Sequence, residues 1–396
     1  MSGPLEGIRI IDATSIVSGP FATTILGDQG ADIIKIEQPG LGDLIRYMGI
    51  IRNHMSAVFA VLNRNKRSVT VNTAKPEGKE LIYDLVRKAD AFVQNYRPGV
   101  AERMGIGYEQ LKKINPDLVY VSISGFGDDG PYSNKRVYDP IVQAIAGYTD
   151  VQGDPKTGKP EIVRTIVIDK VTSLTACQAI TAGLLAKARG KGGQHIKLSM
   201  LDSALQFLWS DALANYIYVG EEKEGRPNLS DLYRVFPTKD GYITSIVSSD
   251  SEWQGFCRAM KRMDIAADEK FATIAARGKN AVELWEIIER EYQKYGSTEL
   301  MALLDGEDVP CGVVNRRDSL HLDPQIVQQK SLLEVHHPKA DVVMRSPAPA
   351  VKFGTGAWKV ERHAPMLGEH TDEVLREVLG KDAATISALR EKGAIG

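Results

Sequence analysis

Apolar and polar positions alternate in blocks along the first half of the chain. Ile8 to Ile11 is a short apolar run. Ala22, Ile25 and Leu26 then recur at helical spacing after Ser18-Gly19-Pro20, and Ala31 to Ile36 is a second apolar run behind Gly30. Strand, helix and strand within about thirty residues predict a βαβ unit, a parallel sheet and a right-handed crossover. Further strands are expected at Val69 to Asn72, Ala91 to Asn95, Leu118 to Ile123 and His195 to Ser199, with helices at Lys79 to Lys88 and Ile141 to Gly147. Such alternation predicts an α/β fold.

The pattern changes after residue 200. A largely apolar helix is expected from Leu201 to Tyr218, followed by the charged, Gly- and Pro-containing stretch Glu221 to Asn228. Beyond it a strand at Tyr242 to Val247 and amphipathic helices near Trp253 to Met263, Ala281 to Tyr295 and Thr298 to Leu304 read as a small α+β domain. From about Leu332 the chain turns to short strands and loops before a helix at Thr371 to Leu379. A chain of 396 residues exceeds the size at which one core keeps growing, so two domains are the default. The expected division is 1–200 with 330–396, a linker helix at 201–227, and 228–329.

Composition narrows the classes of function. A net charge of −2 gives no general attraction to nucleic acid or anionic lipid, so any polyanionic ligand must be held by local Arg and Lys. No apolar run approaches the ~20 residues that span a bilayer. Cys177, Cys257 and Cys311 stand apart without C-x-x-C spacing, and the polar start of the chain lacks a charged-then-apolar leader. Reduced thiols in a cytoplasmic protein are the expectation.

Candidate chemistry centres on Val163 to Met200. A short apolar run ends in Asp169, helix-compatible sequence follows, and Gly190 to Gly193 breaks it. Asp is a favoured N-cap, so Asp169 is expected to cap a helix starting near Lys170 and to stay ionised near neutral pH. Such a carboxylate is either a structural cap or a nucleophile. Asn63-Arg64-Asn65-Lys66-Arg67-Ser68 is a basic turn that either is solvated or holds phosphate. Tyr96-Arg97 at a strand end can stack a base and contact phosphate, or cover a core edge. The first βα turn lacks G-x-G-x-x-G, and Walker, H-E-x-x-H and G-x-S-x-G motifs are absent. Nothing therefore anchors a nicotinamide, metal or serine-hydrolase reading.

Several short motifs together resemble the class III CoA-transferases. They are Pro4-Leu5-Glu6-Gly7-Ile8, Ser18-Gly19-Pro20, Gly30 to Glu37, Asn65-Lys66-Arg67-Ser68, Asn95-Tyr96-Arg97-Pro98-Gly99, Gly192-Gly193-Gln194 and Leu367-Gly368-Glu369-His370-Thr371. The resemblance runs over nearly the whole chain. It implies a Rossmann-like large domain built from both chain ends, a small α+β domain, and two protomers interlocked as rings in a homodimer. It implies that coenzyme A and acyl-CoA are substrates, with a small carboxylic acid as acceptor and no permanently bound cofactor.

By the same resemblance Asp169 is the nucleophile that carries anhydride and CoA-thioester intermediates. Val17 and Ser18 would line the start of the CoA site, and Gln38 stands where formyl-CoA transferases carry Arg. Val71, Asn72, Thr73 and Ala74 would pack near adenine beside Asn95, Tyr96 and Arg97. Arg103 would hold phosphate, and Arg136, Val137, Tyr138 and Asp139 would flank the pantetheine and acyl end. Val17 replaces a Gln of oxalate-using members, and their glycine run is absent from Asn228 to Tyr242, which argues against oxalate. Tyr138 occupies the position of the catalytic His in the related α-methylacyl-CoA racemases, which makes racemase the alternative activity.

Overall fold

The computed structural model describes residues 3–154, 157–220, 233–354 and 360–396. The chain divides into two compact units, 1–210 with 330–396 and 211–329.

The larger unit is built on six parallel strands: β1 (Arg9–Ala13), β2 (Asp32–Glu37), β3 (Lys66–Thr70), β4 (Ala91–Gln94), β5 (Val119–Ser124) and β6 (Gln194–Ser199). Their order is β3-β2-β1-β4-β5-β6, so the direction of winding reverses between β1 and β4. In open α/β sheets ligands lie beyond the strand carboxyl ends at such a switch point. Successive side chains on a strand face opposite ways, and both faces are covered. Ile11, Ile34 and Phe92 pack under the helix Pro76–Val86, whereas Ile10, Ile33 and Val93 pack under two helices. Those two are α1 (Ser18–Asp28) and the long helix Val167–Ala186.

The strands and the helices of the first half stand where the apolar blocks put them, with one exception of kind. The basic turn belongs to the sheet: Lys66 and Arg67 are buried inside β3. Lys66 Nζ meets Asp12 Oδ2 at 2.8 Å with both side chains wholly buried, and Arg64 forks onto Asp28 with a shortest contact of 2.7 Å. Arg67 pairs with Asp32 at 2.6 Å. These three cations are held within the protein and hold no phosphate.

The carboxyl-terminal segment closes the β3 edge. His370 N–H donates to Ser68 O, Thr70 N–H to Thr371 Oγ1, and Asn72 N–H to Ala394 O. A sheet edge left open would invite pairing with other chains. The expected helix from Leu201 to Tyr218 is shorter: α-helix ends at Ala212, and only a tight turn at Ala214–Tyr216 follows. The stretch Glu221 to Asn228 lies outside the described residues.

The smaller unit carries a three-stranded antiparallel sheet from Phe236–Pro237, Tyr242–Ser245 and Cys311–Val313. Its helices include Asp250–Ala259, Ala281–Tyr292 and Ser297–Asp305, which close over Trp253, Phe256, Tyr292 and Leu300.

Candidate active site

The loop from β1 into α1 is the first wall of the site. Asn95, just past β4, holds it from beneath: Asn95 Oδ1 accepts from Ser15 N–H at 2.9 Å, and Asn95 Nδ2 donates to Ser15 O at 2.8 Å. Ile16 follows with φ of +70°, a left-handed conformation that is costly for a β-branched residue. Its N–H is held by Asp43 Oδ1 at 3.0 Å, and Asp43 is anchored by the wholly buried Lys35 at 2.9 Å. Lys35 also donates to Thr14 O. Burial opposes its charge, but Asp43, Asp12 and Glu37 outweigh that and raise its pKa. Gly19 lets α1 start here, since a Cβ would lie 2.3 Å from Thr14.

Asp169 faces this loop. Its helix, which we number α3 after α2 (Asp139–Ile145), spans Val167–Ala186, so the acid lies in the first turn and does not cap it. The sequence reading placed the helix start near Lys170. The N-cap is Ile166, which offers no side-chain acceptor. The cap comes from elsewhere: Asp139 Oδ2 accepts the Asp169 N–H at 2.9 Å across 30 residues of chain. Asp139 Oδ1 in turn accepts from Gln143 Nε2 at 2.6 Å.

The expected ionised state of Asp169 near neutral pH also changes. Burial pushes its pKa up from 3.8 to about 7, the neighbouring charge of Asp139 adds to this, and hydrogen bonds from the Ser18 hydroxyl and N–H pull the other way. No cation pairs with Asp169 or Asp139 among the described residues, so only the Ser18 hydrogen bonds oppose desolvation.

Asp169 opens onto a cavity of about 140 Å³. Its wall includes Ser15, Ile16, Ser18, Asn95, Val137 and Tyr138, together with Ser124 and Gly125 at the end of β5. A second, more polar groove adjoins it at Ile123 and Ser124 and is lined by Tyr96, Arg97, Glu102, His195 and Lys197. Both lie beyond the carboxyl ends of β4 and β5.

The residues singled out from sequence thus separate into groups. Ser18, Asn95, Val137, Tyr138 and Asp169 share the cavity, and Tyr96 and Arg97 share the groove. Gln38 and Val71 to Ala74 stand past the carboxyl ends of β2 and β3, outside both. Arg103 and Arg136 are exposed and make no ion pair among the described residues. Val17 does not face the site, because its side chain is buried with Ile45, Met55 and Phe59. Asp139 is 2% exposed with both carboxylate oxygens bonded within the protein, which removes its side chain from the pantetheine path. Ser15, Ile16, Ser124 and Gln143 escaped sequence reading. Only the Asp139-Pro140 pair at a helix start hinted that an acid was placed there for a reason.

Residues 5–371 match the family model described as CoA-transferase family III. The chain belongs to that family. It is 34% identical to the succinyl-CoA:glutarate CoA-transferase of Homo sapiens, over 99% of this chain and 90% of that protein. It is 30% identical to the formyl-CoA:oxalate CoA-transferase of Rhodopseudomonas palustris, over 100% of this chain and 98% of that one. Among solved structures it is similar to a CAIB/BAIF family protein from Brucella suis, with a TM-score of 0.83, 30% identity, and coverage of 96% of this chain and 100% of that one. This family III enzyme therefore moves CoA between an acyl-CoA and a carboxylate. No described helix is long and apolar enough to cross a membrane.

Proposed function

We propose that Asp169 carries the transferred group covalently. Its carboxylate attacks the thioester carbonyl of the donor acyl-CoA, the C–S bond breaks, and a mixed anhydride and CoA thiolate result. The thiolate attacks the Asp169 carbonyl of the anhydride, which releases the donor acid and leaves aspartyl-CoA thioester. The acceptor carboxylate repeats the sequence in reverse, so that CoA leaves on the acceptor and Asp169 is freed. Each exchange is split into easier acyl transfers. The observation that carries this reading is a buried carboxylate without a counter-ion among the described residues, opening onto a cavity and held by the Ser18 hydroxyl and N–H. The Ser18 N–H is placed to receive negative charge that develops on an Asp169 carbonyl oxygen.

CoA is read along the carboxyl edge of the sheet, past Gln38, Val71 to Ala74, Asn95 to Arg97 and Arg103, with Arg136 to Tyr138 at the acyl end. The acceptor is a small carboxylic acid other than oxalate, in keeping with the higher identity to the glutarate-using relative. Leu41, Leu44, Tyr47, Met48, Ile50 and Ile51 are exposed within one short segment, an apolar surface suited to a second copy in a homodimer. The cytoplasm suits Cys177, Cys257 and Cys311, which are all free.

A carboxyl group with a pKa of about 7 also suits proton transfer at an α-carbon, which favours the racemase alternative. Incubation in deuterated water separates the two. A racemase incorporates deuterium into acyl-CoA without an added acid, whereas the transferase shows no incorporation and moves CoA only when a carboxylate such as glutarate is supplied to succinyl-CoA. Deuterium exchange without transfer to any small mono- or dicarboxylate contradicts the proposal.

A further inference from the structure

Two buried acids with no cation between them among the described residues are an unusual arrangement, and the surroundings of Asp139 show that it is constructed. Asp139 begins α2, where the helix dipole favours an anion. Gln143, one turn on and 1% exposed, fixes its carboxylate through Nε2. The same Gln143 accepts the Val163 N–H at 3.0 Å and lies 3.2 Å from Val163 O and Thr165 O, so it also ties down the strand of chain that leads into the Asp169 helix. Asp139 then takes the Asp169 N–H, one of the first-turn donors that helix geometry leaves unbonded.

We infer that Asp139, oriented by Gln143, is a positioning residue that fixes the Asp169 backbone and by its negative charge drives Asp169 from the free carboxylate toward the acylated state. The inference rests on the covalent reading above. When Asp169 is esterified as an anhydride or a thioester it carries no charge, so repulsion from Asp139 is felt by the free anion and relieved in the intermediate. Other charged groups do not confuse the effect. Lys170 is turned to Thr165 Oγ1 at 2.8 Å, and among the described residues Tyr138 is the only other titratable side chain on the cavity wall. Asp139 itself touches no substrate path.

The test combines intact-protein mass spectrometry of the CoA adduct, formed with succinyl-CoA, and a pH profile of kcat/KM for wild type, Asp139→Asn and Gln143→Met. In Asp139→Asn the rising limb moves to lower pH by about one unit, and the equilibrium ratio of aspartyl-CoA to free enzyme falls about tenfold to match. In Gln143→Met the charge remains but is free to turn, so kcat falls about tenfold with KM unchanged. An Asp139→Asn enzyme that loses activity with an unmoved pH limb and an undiminished adduct has lost only structure, and overturns the inference. A Gln143→Met enzyme with wild-type kcat overturns it too, and decides the matter should Asp139→Asn not fold. Wild type that transfers CoA without any adduct defeats the covalent reading itself, an outcome distinct from either of these.

Discussion

Asn95 clasps both the N–H and the carbonyl of Ser15, at 2.9 and 2.8 Å, and so joins the end of β4 to the loop after β1 across the point where the sheet reverses its winding. One residue on, Ile16 sits in a left-handed conformation that only a clamped loop would sustain. Asn95→Leu removes both bonds and is expected to cost about 1–3 kcal/mol of stability and to lower kcat at least about tenfold, because Ser18 no longer meets Asp169 squarely. Thermal melting and steady-state kinetics on the same sample check this. Unchanged kcat would show that the loop geometry does not reach the chemistry.

The charge state of Asp169 links activity and stability with opposite signs. Its folded pKa, about 7, lies above the ordinary 3.8, so the folded protein binds a proton more tightly than the unfolded chain does. Stability contributed by this group is present at low pH and is lost as pH rises toward 7. Asp169→Asn removes that loss. It is expected to match wild type in stability near pH 4 and to exceed it above pH 7, by at most about 4 kcal/mol, while transfer activity disappears. In the wild type, kcat/KM rises through about pH 7 as the nucleophile ionises. A substituted protein that melts below wild type at pH 8 would show that burial does not penalise the carboxylate.

Arg64 and Arg103 are expected to differ, the first structural and the second ligand-facing, and two variants distinguish them. Arg64 is buried against Asp28 and also bonds Ser346 and Pro347 O. Arg64→Ala strands the Asp28 charge and is expected to cost about 3–5 kcal/mol with KM for acyl-CoA unaltered. Arg103 is exposed and makes no ion pair among the described residues. Arg103→Ala is expected to raise KM for acyl-CoA about tenfold, and less at high salt, with Tm unchanged. Titrations of both against CoA provide the comparison; a reversal of the pattern refutes the assignment.

The layout of the larger unit was legible in the sequence because buried parallel strands and their helices impose apolar blocks of distinct length. Lys66 and Arg67 were not legible as strand residues. Their charges are neutralised by Asp12 and Asp32, and Asp12 lies 54 residues away, so no local pattern records the pairing. Asp169 stood out as an acid at a helix start, but its register was misjudged for a related reason. Caps are read from neighbouring side chains, and here the cap is Asp139 from another helix. Burial, with the like charge of Asp139 adding to it, then raises the Asp169 pKa to about 7, which no local sequence pattern records.

Whether Asp169 becomes covalently attached to its substrates is tested most directly by oxygen labelling. Turnover with succinyl-CoA and an acceptor acid carrying heavy oxygen in its carboxylate should leave one heavy oxygen on Asp169, since the acceptor's attacking oxygen bridges the second anhydride and stays with the enzyme when CoA departs. Mass analysis of the peptide containing Asp169 is expected to show one heavy oxygen after a single turnover and up to two after many, at Asp169 alone. Complete transfer with Asp169 still bearing only ordinary oxygen would contradict the mechanism.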